Sequence, residues 1–281
     1  MAGAERVRLP AGREVGAGRV RRGAGYAALA AGVAGLVHVG PAATWLRGVR
    51  RVVPGLAGVG EPGHVALTFD DGPDPVSTPC FLRELRRLEC RATFFVLGEM
   101  LERHPGLGRR IAEEGHEVAV HGWRHTATLL ARPGAVAGEM GAAVRLVREV
   151  TGVRPVWYRP PYGVLSAEAL VAARARGLRP VLWTVWGRDW TASATPGSVL
   201  AELAPGLRGG ATVLLHDSDH TSARGAWRVA LGALPEVVAR CRAAGLEVGP
   251  LGEHGVRRRG GHGWSSWSSG CQDTVSAGGR R

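Results

Sequence analysis

The sequence predicts an α/β fold made of parallel βα units, and two patterns carry that reading. From Gly63 onward, short apolar runs rich in β-branched and aromatic residues alternate with segments of helical character. The chain of 281 residues, 45% of them apolar, is also long enough to bury one good-sized core as a single domain. Six strands separated by helices fit a parallel sheet, closed as a barrel or wound open, and in either form the chemistry collects at the carboxyl ends of the strands.

The first expected strand, Val65–Phe69, runs into two adjacent carboxylates, Asp70 and Asp71, in the stretch "HVALTFDDGPDP". Side-by-side carboxylates repel, which is tolerable in a solvated turn or where a cation offsets the repulsion. A helix is expected over residues 78–90. Cys80 and Cys90 flank it and would stand about 15 Å apart along its axis, too far for a disulfide. With Cys241 and Cys271 they show no CxxC spacing, so no zinc ribbon or redox pair is expected.

The second strand, Ala92–Leu97, precedes a helix over 106–114. The third, Val118–Val120, runs into "HGWRH", where His121 and His125 lie four residues apart, near enough to share one ion. One carboxylate and two imidazoles form a donor set suited to a catalytic zinc with an open position. One Asp of the pair would then hold the metal while the other takes a proton from water.

A helix over 134–150 leads to "WYRPPYG", where Arg159 stands before two prolines that fix the backbone; an arginine beside a base carboxylate favours its charged form. Helix 166–176 precedes the strand Pro180–Val185, and helix 197–207 precedes the strand Thr212–Leu215. The latter ends at His216, a candidate general acid. Helix 226–244 and the strand Leu246–Val248 complete the pattern.

The motifs "TFDDG" (68–72), "HGWRH" (121–125), "RPPYG" (159–163), "RDW" (188–190) and "LLH" (214–216), in this order, resemble the five motifs of the polysaccharide deacetylases, the NodB-homology family of carbohydrate esterases. The resemblance covers residues 63–251 and implies a distorted (β/α) barrel of the NodB-homology type. It also implies metal-dependent removal of acetyl groups from a glycan such as peptidoglycan or chitin oligosaccharide.

Carried across, the resemblance makes Asp70 the general base and Asp71, His121 and His125 the ligands of a divalent metal, zinc first, with cobalt or nickel as alternatives. Arg159 would orient Asp70, the Tyr162 backbone N–H would stabilise the oxyanion, and His216, held by Asp189, would protonate the leaving amine. Trp190 and Leu214 would line the acetyl pocket. Two positions depart from the family pattern. Gly122 stands where a Ser or Thr is usual, so a hydrogen bond supporting the loop is expected to be missing, and Trp186 replaces an Asp, giving an indole-rich groove wall. A non-glycan amidase on the same fold and a catalytically dead glycan-binding module are the competing expectations.

The net charge of +12 does not point to nucleic acid, because the excess lies outside the expected catalytic domain. Residues 1–60 carry nine Arg against Glu5 and Glu14, and residues 252–281 carry five Arg against Glu253 and Asp273. The chain has no lysine, which excludes a lysine Schiff base or a P-loop. A basic segment over 1–23 precedes an apolar stretch over 24–46, expected as a signal or membrane anchor. An anchor is favoured because no A-x-A cleavage site stands out. A linker is expected over 47–62, a disordered tail over 252–281, and a location in the cell envelope.

Overall fold

The computed structural model describes residues 30–256. Eight strands form one sheet in which every pairing is parallel: β1 (His64–Asp70), β2 (Thr93–Leu97), β3 (Glu117–Gly122), β4 (Trp157–Tyr158), β5 (Arg179–Pro180), β6 (Val185–Trp186), β7 (Thr212–His216) and β8 (Glu247–Gly249). Their order is β5-β4-β3-β2-β1-β7-β6, with β8 beside the first half of β1. Among the described residues the path runs from β5 to β6 without closing, which makes a half-barrel.

All seven residues of β1 are buried, as a strand covered on both faces requires. Its alternation divides the core. Val65, Leu67 and Phe69 face the outer helices, where they join Phe81, Leu82 and Leu85 of the helix Thr78–Arg87. Ala66 faces inward with Phe95, Ala119 and Trp157, and the same inward period carries Thr68 and Asp70 toward the site.

The expected strand Pro180–Val185 is two strands on opposite edges of the open sheet, and residues 181–184 cross the seam between them. There the Leu182 N–H donates to the Leu56 carbonyl and the Thr184 N–H to the Thr212 carbonyl. The run is apolar because it is enclosed, which periodicity alone does not distinguish from a single strand. Strand β4 is too short to stand out as an apolar run, because only two residues pair before Pro160 and Pro161, which offer no N–H. An additional helix, Gly98–Arg103, precedes Pro105–Glu113, with the break at the residue before proline.

The stretch expected as a linker holds two short helices, Arg47–Val52 and Pro54–Ala57, and Leu56 packs against the core. Of the expected tail, residues 252–256 pack on the domain, with His254 and Val256 buried. Residues 30–39 are helical, with Val33, Leu36 and Val37 exposed. Among the described residues no helix is long and apolar enough to cross a membrane. The basic segment, the beginning of the apolar stretch and the tail from residue 257, Cys271 included, lie outside the described residues. Among the described residues, Cys80, Cys90 and Cys241 form no disulfide.

Candidate metal and active site

The two carboxylates part because the chain changes conformation between them. Asp70 ends β1 in extended geometry, whereas Asp71 has φ 80, a left-handed conformation uncommon for a residue with a Cβ. The turn is held from below by Asp217. Its buried carboxylate accepts from the Thr78 hydroxyl at 2.5 Å and from the Gly72 N–H, and burial pushes its pKa up to about 7. A Cβ on residue 72 would collide with that carboxylate, so only glycine fits.

Three donor atoms converge above this turn. The Nε2 atoms of His121 and His125 lie 3.4 and 3.6 Å from Asp71 Oδ1, and the three residues form a group able to hold a metal ion. Two ligands about 2.1 Å from a common zinc at a tetrahedral angle would be roughly 3.4 Å apart, so the spacing fits. Asp71 Oδ1 is buried and has no hydrogen-bond partner among the described residues, an arrangement that is costly unless a cation completes it.

The histidine chemistry agrees. His121 Nδ1 contacts the Arg159 carbonyl at 2.8 Å, and since a carbonyl only accepts, Nδ1 carries the proton and Nε2 presents its lone pair. Burial lowers the pKa of His121 to about 3 and lowers that of His125, which keeps both imidazoles neutral and ligand-competent.

Asp70 is oriented by a fully buried arginine. Arg159 Nη1 donates to Asp70 Oδ1 at 2.7 Å and to Thr68 Oγ1 at 2.8 Å, and Nη2 donates to the Leu182 carbonyl at 2.9 Å. The guanidinium lies over the Phe95 ring, 4.0 Å from its centroid. One carboxylate oxygen of Asp70 is thereby occupied, while Oδ2 lies 3.8 Å from His121 Nε2.

His216 pairs with Asp70 in register across β1 and β7. Its Nδ1 contacts Asp189 Oδ1 at 3.1 Å, and its backbone N–H donates to Asp189 Oδ2 at 2.8 Å. Burial opposes the imidazolium, but the carboxylate of Asp189, followed by those of Asp71 and Asp70, outweighs it and pushes the pKa up to about 10. His216 therefore carries a proton it can give.

A cavity of about 220 Å³ joins these groups, lined by Asp70, His121, His125, His216, Tyr162 and Leu214, with Trp183, Trp186 and Trp190 as its wall. Trp183 and Trp186 stack at 5.6 Å between centroids, Trp190 meets Trp186 edge-on, and Trp190 also meets His216. Tyr162, in the left-handed region at φ 58, sets its ring edge-on to His125 at 4.3 Å. Every site residue expected from the sequence thus surrounds or supports one cavity.

Gly122 has a specific cause. Its φ of +118 is one that a side-chain-bearing residue rarely adopts. Asp71, not the Gly122 loop, is supported from the far side by residues that no sequence motif marks. The Thr221 hydroxyl donates to Asp71 Oδ2 at 2.5 Å, and Ser222 lines the cavity with a buried hydroxyl that has no partner among the described residues. Asp217 was likewise missed. The only signal in the sequence was the polar run "HDSDHTS" after a buried strand.

The polysaccharide deacetylase family model matches residues 57–181. Peptidoglycan-N-acetylglucosamine deacetylase PgdA of Listeria monocytogenes is 38% identical over 160 residues, covering 57% of this chain and 34% of the relative. The chain therefore spans about a third of that relative's length. The chitooligosaccharide deacetylase of Bradyrhizobium sp. strain ANU 289 is 40% identical over 156 residues, 54% of this chain and 70% of the relative. Among solved structures, a family 4 carbohydrate esterase from Streptomyces lividans in complex with acetate superposes with a TM-score of 0.60 at 29% identity, covering 67% of this chain and 93% of that one. Enzymes of this family depend on a divalent metal, and the Asp71, His121 and His125 group offers a place for one. The motifs, the half-barrel and these relatives together show that the chain belongs to the polysaccharide deacetylase family.

Proposed function

We propose that the protein is a metal-dependent deacetylase that hydrolyses the N-acetyl groups of a glycan, peptidoglycan or a chitin-type oligosaccharide, with zinc as the ion. The observation that carries this reading is the placement of a ligand trio, an arginine-held carboxylate and a protonated histidine around one cavity. The names of the relatives support the substrate class.

When bound by Asp71, His121 and His125, a divalent ion supplies a Lewis acid for the acetyl carbonyl and makes an attacking water more acidic. Asp70, with Oδ1 engaged by Arg159, takes the proton from that water through Oδ2. The Tyr162 backbone N–H offers a hydrogen bond to the oxyanion of the tetrahedral intermediate. His216, fixed at Nδ1 by Asp189, gives its Nε2 proton to the departing nitrogen, and the products are acetate and a free amine. Trp186, in the indole wall, offers a surface for a sugar ring, and Trp190 and Leu214 line the pocket for the acetyl group.

A screen of the purified protein for acetate release from peptidoglycan and from chitin oligomers, with zinc, cobalt or nickel, tests this function. Metal-dependent acetate release supports it. Turnover of a small cyclic or linear amide in place of either glycan would move the protein to the amidase class. Tight glycan binding without turnover would make it a binding module.

The domain reading that accompanies this function is a catalytic unit over 63–251 with a basic, apolar N-terminal segment that takes it to the cell envelope, as an anchored or secreted enzyme. Exposed Val33, Leu36 and Val37 on the helical stretch 30–39 support a membrane-surface contact. Fractionation of cells expressing the full chain and a chain beginning at residue 40 tests it. Equal recovery of both from the cytosol would count against it.

A further inference from the structure

We infer that Thr221 is a positioning residue for the metal site, a role that rests on the reading of Asp71 as a ligand. A carboxylate at a left-handed backbone position has no regular strand neighbour to fix its plane, and Asp71, at φ 80, is such a case. Its two oxygens have separate surroundings. Oδ2 accepts the Thr221 hydroxyl at 2.5 Å, whereas Oδ1 has no hydrogen-bond partner among the described residues and faces the two histidine Nε2 atoms at 3.4 and 3.6 Å. With Oδ2 occupied, the carboxylate is held in the rotation that directs its free oxygen at the imidazoles. Gly122, between the two histidines, has no side chain that could do this.

The loop that carries Thr221 is fixed at several points, so the hydroxyl is held rather than merely nearby. The His220 ring contacts Glu99 Oε1 at 3.2 Å, on the helix Gly98–Arg103. The Ala223 N–H donates to the Trp190 carbonyl at 3.0 Å and the Gly225 N–H to Asp219 Oδ2 at 2.5 Å. At its start, Asp217 is buried against Thr78. The segment after β7 thus ties the helix after β2, the indole wall and the ligand carboxylate together. Groups that orient a metal ligand in this way commonly contribute about ten- to a hundredfold in affinity.

The test compares Thr221→Val, which keeps the shape and removes the hydroxyl, with Thr221→Ser, which keeps the hydroxyl. Zinc affinity of the purified full chain is measured by competition with a chromogenic chelator, without substrate, alongside kcat and KM for acetate release. Thr221→Val should bind zinc about ten- to a hundredfold more weakly, recover part of its kcat in excess zinc, and keep KM near the wild-type value. Thr221→Ser should retain wild-type affinity. Wild-type zinc affinity in Thr221→Val, or an equal loss in both variants, would overturn the role of the hydroxyl while leaving the deacetylase reading intact. Absence of zinc binding by the wild type would overturn both.

Discussion

Asp70 and His216 are lateral partners in the register of β1 and β7, so the proposed base and acid stand on neighbouring strand ends and line one cavity. Their environments separate their duties. Asp70 is bonded to a buried arginine, and His216 to the carboxylate of Asp189. Since His216 must be protonated to act as the acid, activity should hold from neutral pH upward and fall where this histidine loses its proton, between the ordinary imidazole range and about 10. Replacing Asp189 with Asn removes the charge that raises this pKa, so the alkaline limb of kcat/KM should move to lower pH. A profile of the metal-loaded variant recorded from pH 6 to pH 10 checks this; an unmoved limb would assign it to another group.

Arg159 is wholly buried and spends both terminal nitrogens on Thr68, Asp70 and Leu182. Arg159→Met would keep much of the volume but leave Asp70 buried beside no cation. The expected loss is about 3–5 kcal/mol of stability, with activity falling further because the carboxylate loses its orientation. Urea unfolding of the two proteins measures the first effect. A loss under 1 kcal/mol would show that Asp70 finds another partner.

Asp217 gives a pH signature in stability rather than rate. Burial raises its folded pKa from the ordinary 3.8 to about 7, so the unfolded chain ionises it first. The folded state is therefore progressively disfavoured as pH rises from about 4 to 7, and the cost is complete above 7. Asp217→Asn abolishes that titration. Thermal melts in a chelator should show the wild type losing stability relative to Asp217→Asn between pH 5 and pH 8, and parallel curves would contradict the burial argument.

The N-terminal stretch is a brace for the substrate wall. Arg50 Nη1 donates to the Trp183 carbonyl at 2.9 Å, its Nε donates to the Thr44 carbonyl at 2.8 Å, and its guanidinium lies 5.3 Å from the Trp183 ring centroid. Arg50→Ala should raise KM for a glycan substrate more than it lowers kcat, because Trp183 belongs to the wall and not to the proton-transfer groups. Steady-state kinetics separate the two. A kcat loss with constant KM would place Arg50 elsewhere in the mechanism.

The parts of the fold and site legible in the sequence were those carried by contiguous residues. β1 announced itself as an apolar run, and Asp70, Asp71, His121, His125 and His216 stood at strand ends where parallel folds collect their chemistry. What escaped depended on relations across the chain. The split of residues 180–185 between two sheet edges reflects an enclosed crossing at the seam, which looks like one strand from hydrophobicity alone. Thr221 and Asp217 act on Asp71 and Gly72 from about 150 residues away, and polar residues in a loop carry no mark of what they face. Gly122 leaves the loop without a side-chain hydrogen bond, as expected of a glycine, but the backbone conformation that favours glycine there has no mark in the sequence.

The division of labour between the adjacent carboxylates is best tested by pairing zinc content with acetate release for Asp70→Asn and Asp71→Asn. Asp70→Asn leaves all three ligands in place and removes the proton acceptor, so it should remain zinc-loaded and lose roughly two to four orders of magnitude in kcat. Asp71→Asn removes the charged ligand that faces both imidazoles, so zinc content should fall and excess zinc should restore part of the activity. A zinc-free Asp70→Asn beside a zinc-loaded Asp71→Asn would reverse the two roles, and wild-type acetate release by both would contradict the mechanism.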